Sequence, residues 1–292
     1  MNWSPFNPEF MTDPARGHQY LLNEWPVHYC DMFEPPFYTL SRYGDVENAL
    51  RDIKTFSSHF GQGPRFTEPA GMLCDPPQHT QYRKLIQQAF TPKAVAELRP
   101  MVVSLANKLV DDILAGERGF DLHDDLAFPL PVIIIAGMLG VPAEDLEDFK
   151  RWSDMQVELM GSEDPSQYVD EQTRFQAYMH AHMMSRRSLI ESGAEVPEDL
   201  LTLVASAKTD TGEYIPDGDA LSMLNQLLVG GNETTTSLIT NMIWRLLEVP
   251  SLWQEILDDE SLIGAAVEES LRFDPPVLGL YRNTPRGVEL HG

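Results

Sequence analysis

Leu221, Leu224, Leu228, Thr235, Leu238, Met242 and Leu246 recur at three- and four-residue steps between Pro216 and Pro250. That rhythm predicts one amphipathic helix of about 33 residues, about 50 Å long. Its middle is occupied by residues that helices disfavour, Gly230-Gly231-Asn232-Glu233-Thr234-Thr235. Two adjacent glycines cost roughly 2 kcal/mol against alanine in a helix interior, and β-branched threonines add strain. A threonine hydroxyl can bond the carbonyl four residues back and open the helix there; for Thr234 that carbonyl belongs to Gly230. The product would be a groove holding one hydroxyl next to the Glu233 carboxylate, which suits proton delivery to a ligand in a dry site. The alternative is a glycine contact where two helices cross, with Thr234 and Glu233 incidental.

Elsewhere the pattern predicts a β-hairpin, residues 26–32 and 37–41 around Glu34-Pro35-Pro36, then a helix over 45–53. Residues 57–73, rich in glycine and proline, read as a long irregular loop. Beyond Asp75 the chain is almost wholly helical, punctuated at Pro92, Gly116, Gly140, Pro165, Gly193, Pro197 and Gly212. Asp75-Pro76-Pro77 reads as an N-cap and first-turn proline, and the helix that follows carries His79 and Arg83 four apart on one face. Glu269 and Arg272 lie three apart on a later helix that Pro275 and Pro276 stop. Taken alone, each pair reads as a solvated face. Met155, Met160, Met179, Met183 and Met184 fall at helical spacings, where methionine is usually core.

Composition is that of a soluble globular protein, with 42% hydrophobic and 23% charged residues in 292. The 45 acidic against 21 basic residues give a formal charge of −24, which disfavours nucleic acid as a partner. Basic residues nonetheless concentrate between 76 and 108, where Arg83, Lys84, Lys93, Arg99 and Lys108 face one acid, Glu97. The two cysteines, Cys30 and Cys74, argue against a disulfide framework and suit a reducing cytoplasm. The N-terminus lacks the basic start and apolar stretch of a signal peptide. The longest apolar run, 126–141, contains Pro129 and Pro131 and is shorter than the ~20 residues a membrane span needs, so a cytoplasmic, membrane-free protein is expected.

The three motifs, in this order, resemble the cytochrome P450 superfamily of haem-thiolate monooxygenases in its soluble bacterial branch, from about Pro26 onward. The resemblance implies a mainly α fold: a helical bundle around a long distal helix, with small β-sheets near the N-terminus and after the Glu-x-x-Arg helix. It implies a single domain over 1–292, hairpin- and loop-rich to residue 74 and helix-rich from 75. Gly230 to Thr235 would be the oxygen-activation motif, with Gly230 and Gly231 against the cofactor, Glu233 as the acid and Thr234 as the alcohol. Glu269 and Arg272 match a buried structural pair near the haem. His79, Arg83 and Arg282 would hold haem propionates, and Leu227, Val277 and Leu278 would line the substrate pocket. The methionine helices look like the family's mobile roof. Implied partners are haem b (iron protoporphyrin IX), O2, a small apolar substrate, and electrons from NAD(P)H through an acidic ferredoxin-type protein docking on the basic region. One departure stands out. The family's iron ligand is a cysteine in a Phe-x-x-Gly-x-x-x-Cys-x-Gly-like loop that this sequence does not contain, so the axial thiolate is expected to be missing. An incomplete copy, inactive alone, is the expectation; a non-catalytic scaffold, or a peroxide-using or dehydrating enzyme of the same fold, is the rival.

Overall fold

The computed structural model describes residues 3–5, 7–32, 34–63, 66–116, 119–161 and 164–291. The backbone clusters into two compact units, residues 1–80 with 279–292, and residues 81–278. The expectation from the sequence is a single domain, hairpin- and loop-rich to residue 74 and helix-rich from 75.

In the first unit, Asn7 and Asp13 cap two short helices, α1 (Pro8–Thr12) and α2 (Pro14–Glu24), each with proline in its first turn. Trp3, Phe10 and Leu21 form a small core there. Strands β1 (Val27–Cys30) and β2 (Phe37–Leu40) pair antiparallel with Val27 opposite Leu40, the hairpin predicted from alternation. Helix α3 (Tyr43–Arg51) starts and stops two residues earlier than predicted, ended by the Asp52 N–H on the Asn48 carbonyl. The 57–73 loop has no helix or strand among its described residues. Ser57 pairs with Asn283 through two backbone bonds, 2.7 and 2.8 Å, and this isolated bridge draws 279–292 into the unit. The bridge is what stands, among the described residues, where a small sheet after the Glu-x-x-Arg helix was expected.

Helix α4 (Gln78–Gln87) begins in the first unit's sequence and ends in the second's. The second unit continues with α5 (Pro92–Ala115), capped by the Thr91 hydroxyl accepting from the Ala94 N–H. A π-helical turn (His123–Ala127) leads into α6 (Pro129–Leu139), which Gly140 ends in a left-handed conformation, φ 77°, that a side chain would strain. There follow α7 (Leu146–Gly161), α8 (Val169–Ser192), α9 (Leu200–Ala205), α10 (Asp217–Glu248), α11 (Pro250–Asp258) and α12 (Ile263–Phe273). The long helix α10 has 32 residues and lies at the centre of this unit, packed against α6, α7, α8, α9 and α12. Its Met223, Leu224 and Leu228 meet a core that includes Val132, Leu139, Phe149, Met183 and Val204, all essentially inaccessible. Burial of such apolar surface, about 25 cal/mol per Å², holds the bundle together. Among the described residues no helix is long and apolar enough to cross a membrane.

Candidate active site

Helix α10 runs unbroken through the glycine pair. The Thr234 hydroxyl donates to the Gly230 carbonyl at 2.9 Å, the bond predicted from the sequence. The two glycines then separate in role. A Cβ on Gly231 would come within 2.9 Å of Ile135 Cγ1, so Gly231 is there because α6 crosses α10 at that point. A Cβ on Gly230 would meet nothing within 4 Å, leaving open space beside the bonded carbonyl. The helix contact and the open space therefore fall on different glycines. Glu233 accepts a long 3.5 Å bond from the Ser237 hydroxyl and is partly buried.

The residue between these elements, Asn232, was not assigned a role from the sequence. It is wholly buried, and its Nδ2 donates to Ser153 Oγ on α7 at 2.7 Å. The Thr236 hydroxyl lies 3.2 Å from both Asn232 Oδ1 and the Ala127 carbonyl at the end of the π turn. An amide in an apolar helical stripe is the signal that could have found it, since such a group is buried only with its bonds made. Next to Ser153, burial pushes the Asp154 carboxyl up, and the Glu158, Glu233 and Asp124 carboxylates add to that against the opposing field of His123.

On α4, His79 and Arg83 are one turn apart as predicted, and among the described residues neither side chain has a hydrogen-bond or ion-pair partner. The expected N-cap is different. The Asp75 carboxylate accepts from the Ser58 N–H at 2.9 Å and from the Ser57 hydroxyl, so it ties the preceding loop down; the backbone carbonyl of Asp75 takes the His79 N–H at 3.2 Å. Arg282, beside the Ser57–Asn283 bridge, donates to the Tyr281 carbonyl at 2.8 Å. Burial lowers its guanidinium below the ordinary range, partly opposed by the Asp75 carboxylate.

The Glu269–Arg272 pair forms with two bonds of 2.7 Å, yet the side chains are 61% and 68% exposed. The burial that the resemblance implied is absent because no described residue packs over that face of α12. Leu227 is buried, whereas Val277 and Leu278 are exposed. Met155, Met179 and Met183 are core, Met184 is exposed, and the Met160 side chain lies outside what is described. Cys30 and Cys74 are free and buried, the latter donating to the Gly71 carbonyl. In the basic stretch, Lys93 faces Glu97 at 3.8 Å and Lys108 pairs at 2.6 Å with Asp112, which lies beyond the window counted; Lys84 and Arg99 are exposed and without ion pairs among the described residues.

A family profile, cytochrome P450, matches residues 18–292. The chain belongs to the cytochrome P450 family. This P450 is 36% identical over 259 residues to the erythromycin C-12 hydroxylase of Saccharopolyspora erythraea, covering 86% of this chain and 63% of the relative. It is 33% identical over 284 residues to the vitamin D(3) 25-hydroxylase of Pseudonocardia autotrophica, covering 93% of this chain and 67% of the relative. Among solved structures it superposes on the P450 CYP109Q5 from Chondromyces apiculatus with a TM-score of 0.82 at 34% identity, over 97% of this chain and 71% of that one. The chain thus spans about two thirds of the length of the P450s it matches, and its mainly helical fold is theirs.

Proposed function

We propose that this P450 chain is the major part of a haem monooxygenase that inserts one oxygen atom from O2 into a C–H or C=C bond of a small apolar molecule. The observation that carries the reading is the Thr234 hydroxyl held on the Gly230 carbonyl, one residue from Glu233 and beside open space at Gly230. Two relatives named as hydroxylases support the reaction class.

Haem b, when bound, would supply the oxidising chemistry. On the resemblance, Arg282, His79 and Arg83 would hold its propionates; among the described residues the half-buried Arg282 guanidinium bonds a backbone carbonyl and the His79 and Arg83 side chains have no hydrogen-bond or ion-pair partner, and each is a donor suited to a carboxylate. Neither Cys30 nor Cys74 is assigned as the iron ligand, since neither stands in a Phe-x-x-Gly-x-x-x-Cys-x-Gly-like sequence. Thr234 positions a hydroxyl for proton transfer, its own proton turned back onto the helix so that its oxygen is free to accept. Glu233 is the carboxyl that gives up a proton and takes another from solvent. Leu227 supplies an apolar wall, and Val277 and Leu278 are assigned to the same pocket on the resemblance alone. Lys84 and Arg99, exposed and without ion pairs among the described residues, favour electron delivery from NAD(P)H through an acidic ferredoxin-type protein. The setting proposed is the cytoplasm, which suits two free cysteines.

Thr234→Ala tests the reading. In the full-length, haem-loaded protein, substrate binding should be nearly intact while the electrons consumed are diverted to hydrogen peroxide. Unchanged coupling of electrons to product would remove Thr234 from the mechanism. Running the same assay across ionic strength tests the donor, because screening from about 0.1 M to 1 M salt should slow reduction if Lys84 and Arg99 steer it.

A further inference from the structure

Asn232 is wholly buried near the middle of α10, four residues after Leu228, where an apolar side chain would carry no polar obligation. Asparagine is a poorer helix former than leucine, and an unbonded buried amide is costly. Its side chain bonds Ser153 on α7 and Thr236 one turn on in α10, and Thr236 in turn reaches the π turn. Ser153, 1% exposed, receives the Nδ2–H from α10; Thr236, 2% exposed, sits one turn on and reaches both Asn232 Oδ1 and the Ala127 carbonyl of the π turn. A buried polar chain of this kind favours one arrangement, because a slip of the helices strands a buried donor or acceptor. A slip of one residue along a helix is about 1.5 Å and turns the side chains by about 100°. The residues it would turn are Glu233 and Thr234.

We infer that Asn232 is a positioning residue for the Glu233–Thr234 pair, clamping α10 to α7 through Ser153 so that the acid and the alcohol keep one fixed register. The inference rests on the monooxygenase reading for what the pair does, and on the hydrogen bonds alone for the clamp. Misplacing a reacting group by about 1 Å can cost on the order of a hundredfold in rate. A loosened clamp therefore acts on proton delivery before it acts on haem or substrate binding.

Two measurements test it with Ser153→Ala, Asn232→Leu and their double variant. The first uses the chain without haem. Hydrogen exchange read by mass spectrometry should rise at least about threefold in Ser153→Ala in peptides covering both 150–156 and 229–236, since both sides of the bond lose their tie. Exchange unchanged on either helix overturns the clamp. The second uses the full-length, haem-loaded protein with a plant-type ferredoxin and its reductase, turning over without substrate, and reads the fraction of electrons recovered as hydrogen peroxide. Each single variant should raise that fraction at least about twofold at unchanged haem content, and the double variant should be no worse than Asn232→Leu, as groups acting through one bond must be. Thr234→Ala runs alongside. If it raises peroxide and the clamp variants do not, or if their effects add, the positioning role is overturned while the monooxygenase reading stands. If Thr234→Ala changes nothing, that reading fails, and the exchange measurement still decides the clamp. Should Asn232→Leu fail to fold, Ser153→Ala carries both measurements.

Discussion

In the first half of α10, Ala220, Met223, Leu224, Leu227 and Leu228 are buried, whereas in the second half Trp244 and Leu247 are 50% and 58% exposed. The apolar rhythm is the same in both halves. The first half and middle meet α6, α7 and α8 at Ile135, Ser153 and Arg187, while the second half meets Asp274 at the end of α12; α11 and α12 present Leu257, Leu271 and Phe273 outward themselves. What ties the second half down is polar: Asn241 donates to the Asp274 carbonyl at 3.2 Å, and Arg245 pairs with the Asp274 carboxylate at 2.8 Å while stacking over Trp244. Periodicity marks the face of a helix that gains from burial. Whether that face is buried depends on neighbours, which periodicity does not name. The Glu269–Arg272 pair shows the same split, with its local geometry formed and its burial absent.

The sharpest way to break this comparison is to truncate one leucine in each half. Leu228→Ala removes a wholly buried side chain and should cost about 2 to 5 kcal/mol in denaturant unfolding, the transfer loss plus a cavity. Leu247→Ala, at 58% exposure, should stay within about 0.5 kcal/mol. Similar losses at both positions would mean that the second half is buried in solution. The glycine pair gives the next largest effect. Gly231→Leu drives a side chain into Ile135 and should destabilise by about 1 to 3 kcal/mol, whereas Gly230→Ala adds a methyl to open space and should stabilise by up to about 1 kcal/mol through helix propensity. A destabilising Gly230→Ala, measured by the same unfolding curves, would show that α10 needs glycine there for its own sake.

Much of this was legible in the sequence because it is local. The hairpin follows from alternation, α10 from a three- and four-residue rhythm between two prolines, and the Thr234–Gly230 bond from the reach of a threonine hydroxyl to the carbonyl four residues back. What escaped was long-range. Asp75 was read as a cap because aspartate before Pro-Pro is a local capping signal, but its carboxylate is taken by Ser57 and Ser58, which no spacing rule places beside it. Asn232 escaped for the same reason, its partner Ser153 lying 79 residues away. The two roles of Gly230 and Gly231 could not be separated either, since only the crossing of α6 distinguishes them. Within the candidate site, the hydrogen bond of the alcohol was readable and the scaffolding behind it was not.

The smallest effect concerns Glu269, and its dependence on pH separates an exposed pair from a buried one. The side-chain hydrogen bonds from Arg272, followed by the field of its guanidinium, hold the Glu269 carboxyl below the ordinary glutamate range. A carboxyl whose folded-state value lies below its unfolded one adds stability above the unfolded value, and that stability is lost as pH falls through the folded one. The melting temperature of wild type should therefore exceed that of Glu269→Gln by a small, constant margin above about pH 5, and the margin should shrink as pH drops below about 4 and close once the carboxyl is protonated in both states. Because both side chains face water, the margin should also narrow as salt is raised towards about 1 M. A large margin that salt does not touch would mean that something covers α12 in solution, and would move the pair from the exposed half of the comparison to the buried one.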